Sequence, residues 1–164
     1  IYEGIGNISV AEIREKIKMH ISFTGNERPI VFIDYLQILK APEGAERATD
    51  KQIVDHNVTA LKQMSRDFDI PVIAISSFNR QNYSEKINMS AFKESSAIEY
   101  GSDVLIGLQL TGAGDKDFDV DTAKSANPRK IDFCILKNRN SRIVPKGIPM
   151  IYYPVFNCFM MEDK

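Results

Sequence analysis

The chain has 164 residues, 43% hydrophobic and 26% charged, and its 21 basic and 22 acidic residues leave a formal net charge of −1. This is the profile of one soluble globular domain, and it excludes nucleic-acid binding through an overall positive field. No apolar run approaches the roughly 20 residues of a membrane span, so we expect no membrane partner. Cys134 and Cys158 form no CxxC pair, so we expect buried thiols in a reducing cytoplasm, with no disulfide framework or zinc site.

The first predicted element is an amphipathic helix over residues 9–23. Ser9 and Glu12 have the spacing of a capping box at its start, and Gly25 stops the apolar pattern at its end. The apolar residues that recur at helical intervals are Val10, Ile13, Ile17 and Ile21.

Three continuous apolar runs then predict strands at residues 30–33, 72–75 and 104–110. The first two are typical of strands buried on both faces, as in a parallel sheet. A helix from about residue 49 to residue 68 separates them. Its predicted apolar face bears Val54, Val58, Leu61 and Phe68. This alternation favours an open α/β sheet whose ligands bind beyond the carboxyl ends of the strands.

The last part of the sequence predicts antiparallel strands. Residues 111–129 form a polar loop, and the alternation that follows, over residues 131–135, is typical of a half-buried strand. Residues 150–153 and 156–160 predict a terminal antiparallel extension. The expected fold class is therefore α/β, with a mostly parallel twisted sheet flanked by helices and a C-terminal antiparallel hairpin.

Asp34 directly follows the first predicted strand. Nucleotide-hydrolysing motors use a carboxylate in this position to hold Mg²⁺ through water beside the β and γ phosphates. An Asp that caps a turn gives the same pattern and is favoured by this segment alone. Ser77 follows the second predicted strand and is expected on the same edge of the sheet.

Four motifs along the chain resemble those of DnaB-type replicative helicases. Residues 34–37 read DYLQ, and residues 70–80 read IPVIAISSFNR, similar to the family's IPVIALSQLNR. Residues 93–104 read KESSAIEYGSDV, similar to RESGAIEQDADV, and residues 137–140 read KNRN, similar to KNRNG. Four motifs in this order are far more specific than any one of them. The resemblance implies a RecA-like fold, with residues 1–164 as the C-terminal portion of a single motor domain.

The resemblance implies a site for ATP and Mg²⁺. Asp34 matches the Walker B aspartate that orients Mg²⁺ and its water, and Gln37, Asn79 and Arg80 fall in the motifs around the nucleotide. Ser77 stands where the family usually has a Gln that senses the γ phosphate. A hydroxyl is shorter than an amide, so sensing is altered or moved to Asn79 or Arg80. A simple turn at the end of the strand is the other interpretation of this serine.

The resemblance also implies a contact with single-stranded DNA. Lys93, Glu94 and Ser96 match the loop that touches the DNA backbone, with Lys in place of Arg and Ser in place of Gly. Lys93 neutralises a phosphate without the bidentate fork of arginine, so binding should be independent of base sequence and sensitive to salt. The alternative is a helix start with Ser95 or Ser96 as N-cap and Glu99 in the first turn, and both interpretations can hold together.

Lys137 and Arg139 alternate at the end of a predicted strand, so both side chains can point the same way. Their family counterparts reach the nucleotide site of the neighbouring subunit, where an arginine stabilises charge on the transferring phosphoryl group. An ordinary basic hairpin is the alternative. The resemblance implies a ring, a homo-hexamer in the full protein, with single-stranded DNA, primase and a helicase loader as partners.

The sequence begins with Ile1 and contains no GxxxxGK[ST] phosphate loop. We therefore expect a partial domain, inactive alone, from an ATP-dependent 5′ to 3′ replicative helicase that translocates on single-stranded DNA. One alternative is a RecA- or RadA-like recombination ATPase, which shares the Walker B geometry but lacks the run from Lys93 to Glu99. Another is a non-catalytic DNA-binding or assembly module, for which Ser77 is the main hint.

Overall fold

The computed structural model describes residues 8–45, 47–77, 83–89 and 96–162. These residues form two compact units. The first consists of the described residues up to 77 together with 96–102, and the second of 83–89 together with 103–162. That both units belong to one domain over residues 1–164 stays a prediction.

The first unit alternates helices and short strands. In chain order these are α1 (Val10–Thr24), β1 (Val31–Ile33), α2 (Asp50–Phe68), β2 (Val72–Ala74) and α3 (Ser96–Gly101). The capping box predicted for α1 is confirmed, since the N–H of Ser9 donates to Glu12 Oε2 at 2.7 Å and the N–H of Glu12 donates to Ser9 Oγ at 3.2 Å. The Ser9 N–H and hydroxyl lower the pKa of the Glu12 carboxyl. Gly25 ends the helix in a left-handed conformation, with φ of 68°.

A second capping box starts α2, and its removal is expected to destabilise the fold. The N–H of Gln52 donates to Thr49 Oγ1 at 3.3 Å, and the N–H of Thr49 donates to Gln52 Oε1 at 2.9 Å. Thr49→Ala should lower the free energy of unfolding by about 1 kcal/mol, measured by urea unfolding. The matched control is Thr59→Ala in the middle of the same helix, where alanine has the higher helix propensity and no loss is expected. Equal stability of the two variants would contradict the capping role.

The buried face of α2 differs in part from the predicted one. Its buried residues are Val54, Asn57, Leu61 and Met64, whereas Val58 and Phe68 are only half-buried. Asn57 is tolerated in this core because its Nδ2 donates to the carbonyl oxygens of Leu39 and Lys40, at 3.5 and 3.3 Å. A tertiary contact of this kind is not visible in the periodicity of the sequence.

Strands β1 and β2 form the predicted parallel pair, with Val31 opposite Val72 and Ile33 opposite Ala74. A 3₁₀ turn, Leu36–Ile38, follows β1. The prediction that both strands are buried on both faces is wrong for the described residues, because Phe32 is 70% exposed and Ile73 is 47% exposed. These two side chains share one face, and the described part of the chain provides no layer that covers it.

The second unit is an antiparallel sheet with one short helix. Its elements are β3 (Val104–Leu110), α4 (Val120–Ser125), β4 (Arg129–Asn138), β5 (Val144–Tyr153) and β6 (Cys158–Met161). The strand order is β3-β4-β5-β6, and a 3₁₀ turn, Pro154–Phe156, joins the last two strands. Sequence alternation placed β3 in the parallel sheet, whereas the described β3 pairs antiparallel with β4. An apolar run predicts a strand but does not determine its partner.

A bulge in β5 lies opposite Cys134 in the centre of this sheet. Phe133 pairs with Ile148 but Ile135 pairs with Val144, and Gly147 in the extra stretch has φ of 85°. A Cβ at Gly147 would lie 2.7 Å from the Cβ of Asp132. Burial and the nearby Asp132 raise the pKa of the Cys134 thiol, as expected for an inert buried cysteine.

Two broader predictions can be compared with the described ranges. Cys158 is exposed, so the expectation that both cysteines are buried is wrong for this one. It lies on β6, which among the described strands pairs with β5 alone and so forms an edge of the sheet. No helix in the described ranges is long and apolar enough to cross a membrane.

Candidate functional site

The carboxyl ends of β1 and β2 lie side by side at one edge of the parallel pair. The N–H of Ile75 donates to the carbonyl oxygen of Ile33 at 2.9 Å, and the N–H of Leu36 donates to the carbonyl oxygen of Ile75 at 2.9 Å. These bonds extend the pairing beyond the strands and hold Asp34 at this carboxyl edge. The Asp34 side chain is exposed, and the peptide bond between Asp34 and Tyr35 is cis.

An exposed carboxylate at a strand end suits a metal ion held through water. Among the described residues, no three His, Cys, Asp or Glu side chains come together as direct ligands. Mg²⁺ keeps several of its waters and is usually bound through one or two carboxylates together with substrate phosphates. Asp34 therefore fits the part that the resemblance implies for it.

Gln37 and Ser76 join the two strand ends through their side chains. Gln37 Nε2 donates to Ser76 Oγ at 2.8 Å, which ties the 3₁₀ turn after β1 to the residues after β2. The next residue, Ser77, is exposed at the same carboxyl edge. Gln37 therefore has a structural role, because it joins the ends of the two strands. Its predicted contact with a nucleotide would be a second role.

Helix α3 is attached to α2 at its first turn. The N–H of Ala97 donates to Asp55 Oδ1 at 3.3 Å. Ser96 is the first residue of α3 and Glu99 lies in its first turn, which confirms the predicted helix start, although Ser96 is a helical residue and not the cap. The side chain of Ser96 lies outside the described part of the structure. Four further predicted site residues lie outside the described residues: Asn79, Arg80, Lys93 and Glu94.

Lys137 and Arg139 lie at the end of β4 in the second unit. Lys137 pairs with Leu105 of β3 and is half-buried, and Arg139 follows the last residue of the strand. Arg139 Nη1 lies 3.3 Å from Asp103 Oδ1, and the two side chains are 48% and 50% exposed. The two basic residues thus lie two positions apart at the end of β4 in the second unit, whereas the residues of the carboxyl edge belong to the first unit.

The second unit also contains a cavity of about 380 Å³ that the sequence did not predict. Side chains from β3, β4, β5, β6 and α4 line it. The rings of Tyr152 and Phe159 stack with centroids 4.5 Å apart, and Lys124 Nζ lies 4.4 Å from the centroid of the Tyr83 ring. The Nε atom of Arg129 is buried and has no hydrogen-bond partner within the described residues.

This lining combines aromatic rings with the cationic side chains of Lys124 and Arg129 and the carboxylate of Glu85. Aromatic faces stack on planar rings, and a buried N–H without a partner is stabilised by an acceptor that binds beside it. The volume lies within the range of small-molecule sites. Sequence patterns missed the cavity because its lining comes from separate elements, each of which is an ordinary strand or helix taken alone.

The parallel pair, flanked in the chain by helices and followed by an antiparallel sheet, defines a mixed α/β fold. Among solved structures the chain is similar to one described as an ATPase domain, with a TM-score of 0.77 and 23% identity over 96% of this chain and 52% of that one. It is also similar to a DnaB-like replicative helicase, with a TM-score of 0.76 and 24% identity over 96% of this chain and 36% of that one. These likenesses confirm the predicted RecA-like fold class.

Residues 3–160 match the model of the family described as "DnaB-like helicase C terminal domain", and the chain belongs to this family. It is 32% identical over 139 residues to the replicative DNA helicase DnaB of Leifsonia xyli subsp. xyli, covering 82% of this chain and 28% of the relative. It is 30% identical over 161 residues to the replicative DNA helicase DnaC of Bacillus subtilis, covering 96% and 33%. The chain thus spans about a third of the length of these relatives.

Proposed function

We propose that this chain is the C-terminal part of the motor domain of an ATP-dependent replicative DNA helicase that moves 5′ to 3′ along single-stranded DNA. The observation that carries the proposal is Asp34, an exposed carboxylate held at the shared carboxyl edge of β1 and β2. Membership of the DnaB-like family supports the helicase class and gives no support to a recombination ATPase. The relatives' names supply the replicative role.

The chain's own residues would hold a nucleotide and its metal ion as follows. Asp34 would accept hydrogen bonds from waters of a bound Mg²⁺, and Ser77, exposed at the same edge, would contact the γ phosphate. Asn79 and Arg80 follow in sequence and supply further polar groups. When bound, Mg²⁺ neutralises charge on the β and γ phosphate oxygens.

The remaining contacts belong to neighbouring subunits and to DNA. In a ring, which we propose to be a homo-hexamer, Lys137 and Arg139 reach the nucleotide of the adjacent subunit. Lys93, Glu94 and Ser96 contact the backbone of single-stranded DNA. One structurally similar helicase is described together with its interactions with primase, so primase is a proposed partner, together with a helicase loader.

A second candidate function is that of a non-catalytic DNA-binding or assembly module. The observation that favours it is Ser77, whose hydroxyl replaces the amide that the family usually has at this edge. In that case the complete gene product would bind DNA or a partner without hydrolysing ATP.

The carboxylate of Asp34 can be tested with a variant of almost the same shape. In the complete gene product, Asp34→Asn should lower Mg²⁺-dependent ATP hydrolysis by about 10- to 100-fold, as expected when a group that acts on a metal through its waters is changed. ATP-dependent unwinding of a duplex with a 5′ single-stranded tail should fall in parallel. Both rates are measured at saturating ATP and Mg²⁺.

The matched control is Asp117→Asn, which removes an exposed carboxylate from a loop of the second unit. It should leave both rates unchanged. Full activity of Asp34→Asn would refute the metal-orienting role. A wild-type protein that binds single-stranded DNA but shows no hydrolysis would favour the non-catalytic module instead.

A further inference from the structure

The start of β3 and the end of β4 are joined by two contacts between the same two residues. The last paired residues of the strands are Val104 and Asn138. One step beyond them, the N–H of Arg139 donates to the carbonyl oxygen of Asp103 at 3.0 Å. The side chains meet as well, with Arg139 Nη1 donating to Asp103 Oδ1 at 3.3 Å. The sheet register thus places this carboxylate beside this guanidinium.

The backbone bond and the side-chain bond have different consequences. The backbone bond continues the ladder and fixes where Arg139 leaves the sheet. The ion pair is about half exposed on both sides, at 48% and 50%, and exposed pairs of this kind contribute little to stability because solvent screens them. A weak pair still restricts the rotamers of a long side chain, and it can exchange when a better anion arrives.

A phosphoryl group is such an anion. The guanidinium has five N–H donors in a planar fork that matches phosphate oxygens, and a bidentate phosphate contact is stronger than the 3.3 Å bond from Nη1 to the Asp103 carboxylate. An arginine that is already oriented loses less conformational freedom on reaching the phosphate than one that moves freely in solvent.

We propose that Asp103 is a positioning residue for Arg139. It holds the guanidinium at the end of β4, about half exposed to solvent, and releases it to the phosphate oxygens of a nucleotide bound by the neighbouring subunit. This inference rests on the proposed role of Arg139. It adds Asp103, which directly precedes β3, to the residues needed for that role. It also explains why a carboxylate lies here, although its negative charge repels the phosphates of a nucleotide.

The test compares Asp103→Asn and Asp103→Glu in the complete gene product. Asparagine keeps the size of the side chain and removes its charge, so kcat for ATP hydrolysis should fall by about 10-fold or more while KM for ATP is unchanged. Glutamate keeps the charge and should restore most of the lost activity. In an Arg139→Ala background, Asp103→Asn should have no further effect on kcat, because the two residues act as one unit.

The control is Glu162→Gln, which removes the carboxylate of another exposed ion pair in the same unit, with Lys130 at 3.0 Å. Glu162→Gln should leave kcat unchanged. Neither Glu162→Gln nor Asp103→Asn should shift the urea midpoint of unfolding. An unchanged kcat in Asp103→Asn, with Arg139→Ala inactive, would overturn the positioning role alone. An Arg139→Ala variant with full kcat would overturn the role proposed for Arg139 itself. A lowered urea midpoint with additive losses in the double variant would make Asp103 merely structural.

Discussion

Arg139→Ala is expected to lower kcat for ATP hydrolysis by a factor of about 10³ to 10⁵, the range measured for arginines that stabilise charge on a transferring phosphoryl group. Arg139 is half exposed and follows the last residue of β4, and this variant tests its proposed contact with the nucleotide of a neighbouring subunit. ATP binding should change little, because the interaction is made mainly in the transition state. The measurement is steady-state hydrolysis by the assembled complete gene product, beside nucleotide binding at equilibrium.

Mixing two variants of lowered activity tests whether Arg139 acts on its neighbour. A subunit with Arg139→Ala keeps Asp34, and a subunit with Asp34→Asn keeps Arg139. In a mixed assembly, some interfaces pair the intact Asp34 of one subunit with the intact Arg139 of its neighbour. A mixture should therefore recover part of the wild-type rate of ATP hydrolysis. Failure to recover activity in mixed assemblies would show that both residues serve the same subunit. Lys146→Ala, which removes an exposed cation from β5, is the control and should be fully active.

Met64→Ala is expected to lower the free energy of unfolding by about 2 to 5 kcal/mol, because it removes a fully buried side chain from the core of the first unit. Met64 has no exposed surface, and it shares the buried face of α2 with Val54 and Leu61. The loss combines the transfer of buried methylene groups to water with the cost of the cavity left behind. Urea unfolding followed by circular dichroism measures it.

Two methionine variants separate packing from side-chain chemistry. Met64→Leu nearly conserves volume and should cost less than about 1.5 kcal/mol. Met19→Ala removes a side chain on α1 that is 68% exposed, and it should change stability by less than about 0.5 kcal/mol. A similar loss for Met19→Ala and Met64→Ala would mean that α2 does not form the core described above.

Helices α1 and α2 and their ends could be predicted from sequence because the deciding interactions are local, whereas α4 lies within residues 111–129, which the sequence predicted as a polar loop. The capping box of Ser9 and Glu12 spans three residues, and the left-handed turn at Gly25 depends on one residue. The helix before β2 was found by periodicity, although Asn57 and Met64 replaced Val58 and Phe68 as fully buried positions. Asn57 is buried because it packs against Leu39 and Lys40, which follow β1. The periodicity of a helix does not show which distant residues pack against it.

The candidate site was predictable only in part. Asp34 and Ser77 follow apolar runs, and the carboxyl ends of parallel strands meet at one edge, so their common location followed from strand order. The bond from Gln37 to Ser76 did not, because it joins side chains 39 positions apart. The carboxylate of Asp103 beside Arg139 was missed for the same reason, since the residues lie 36 positions apart.

The sequence by itself determined α1, α2, the positions of β1, β2 and β3 and the motifs that identify a DnaB-like domain, because each depends on residues near one another in the chain. Only the tertiary structure decided that β3 pairs with β4, that Phe32 and Ile73 are exposed, and that aromatic rings and Arg129 line one cavity. Those properties depend on which distant segments lie against each other. Hydrogen bonds between strands, and packing of other layers on the sheet, determine which segments pair. A local sequence pattern does not contain this information.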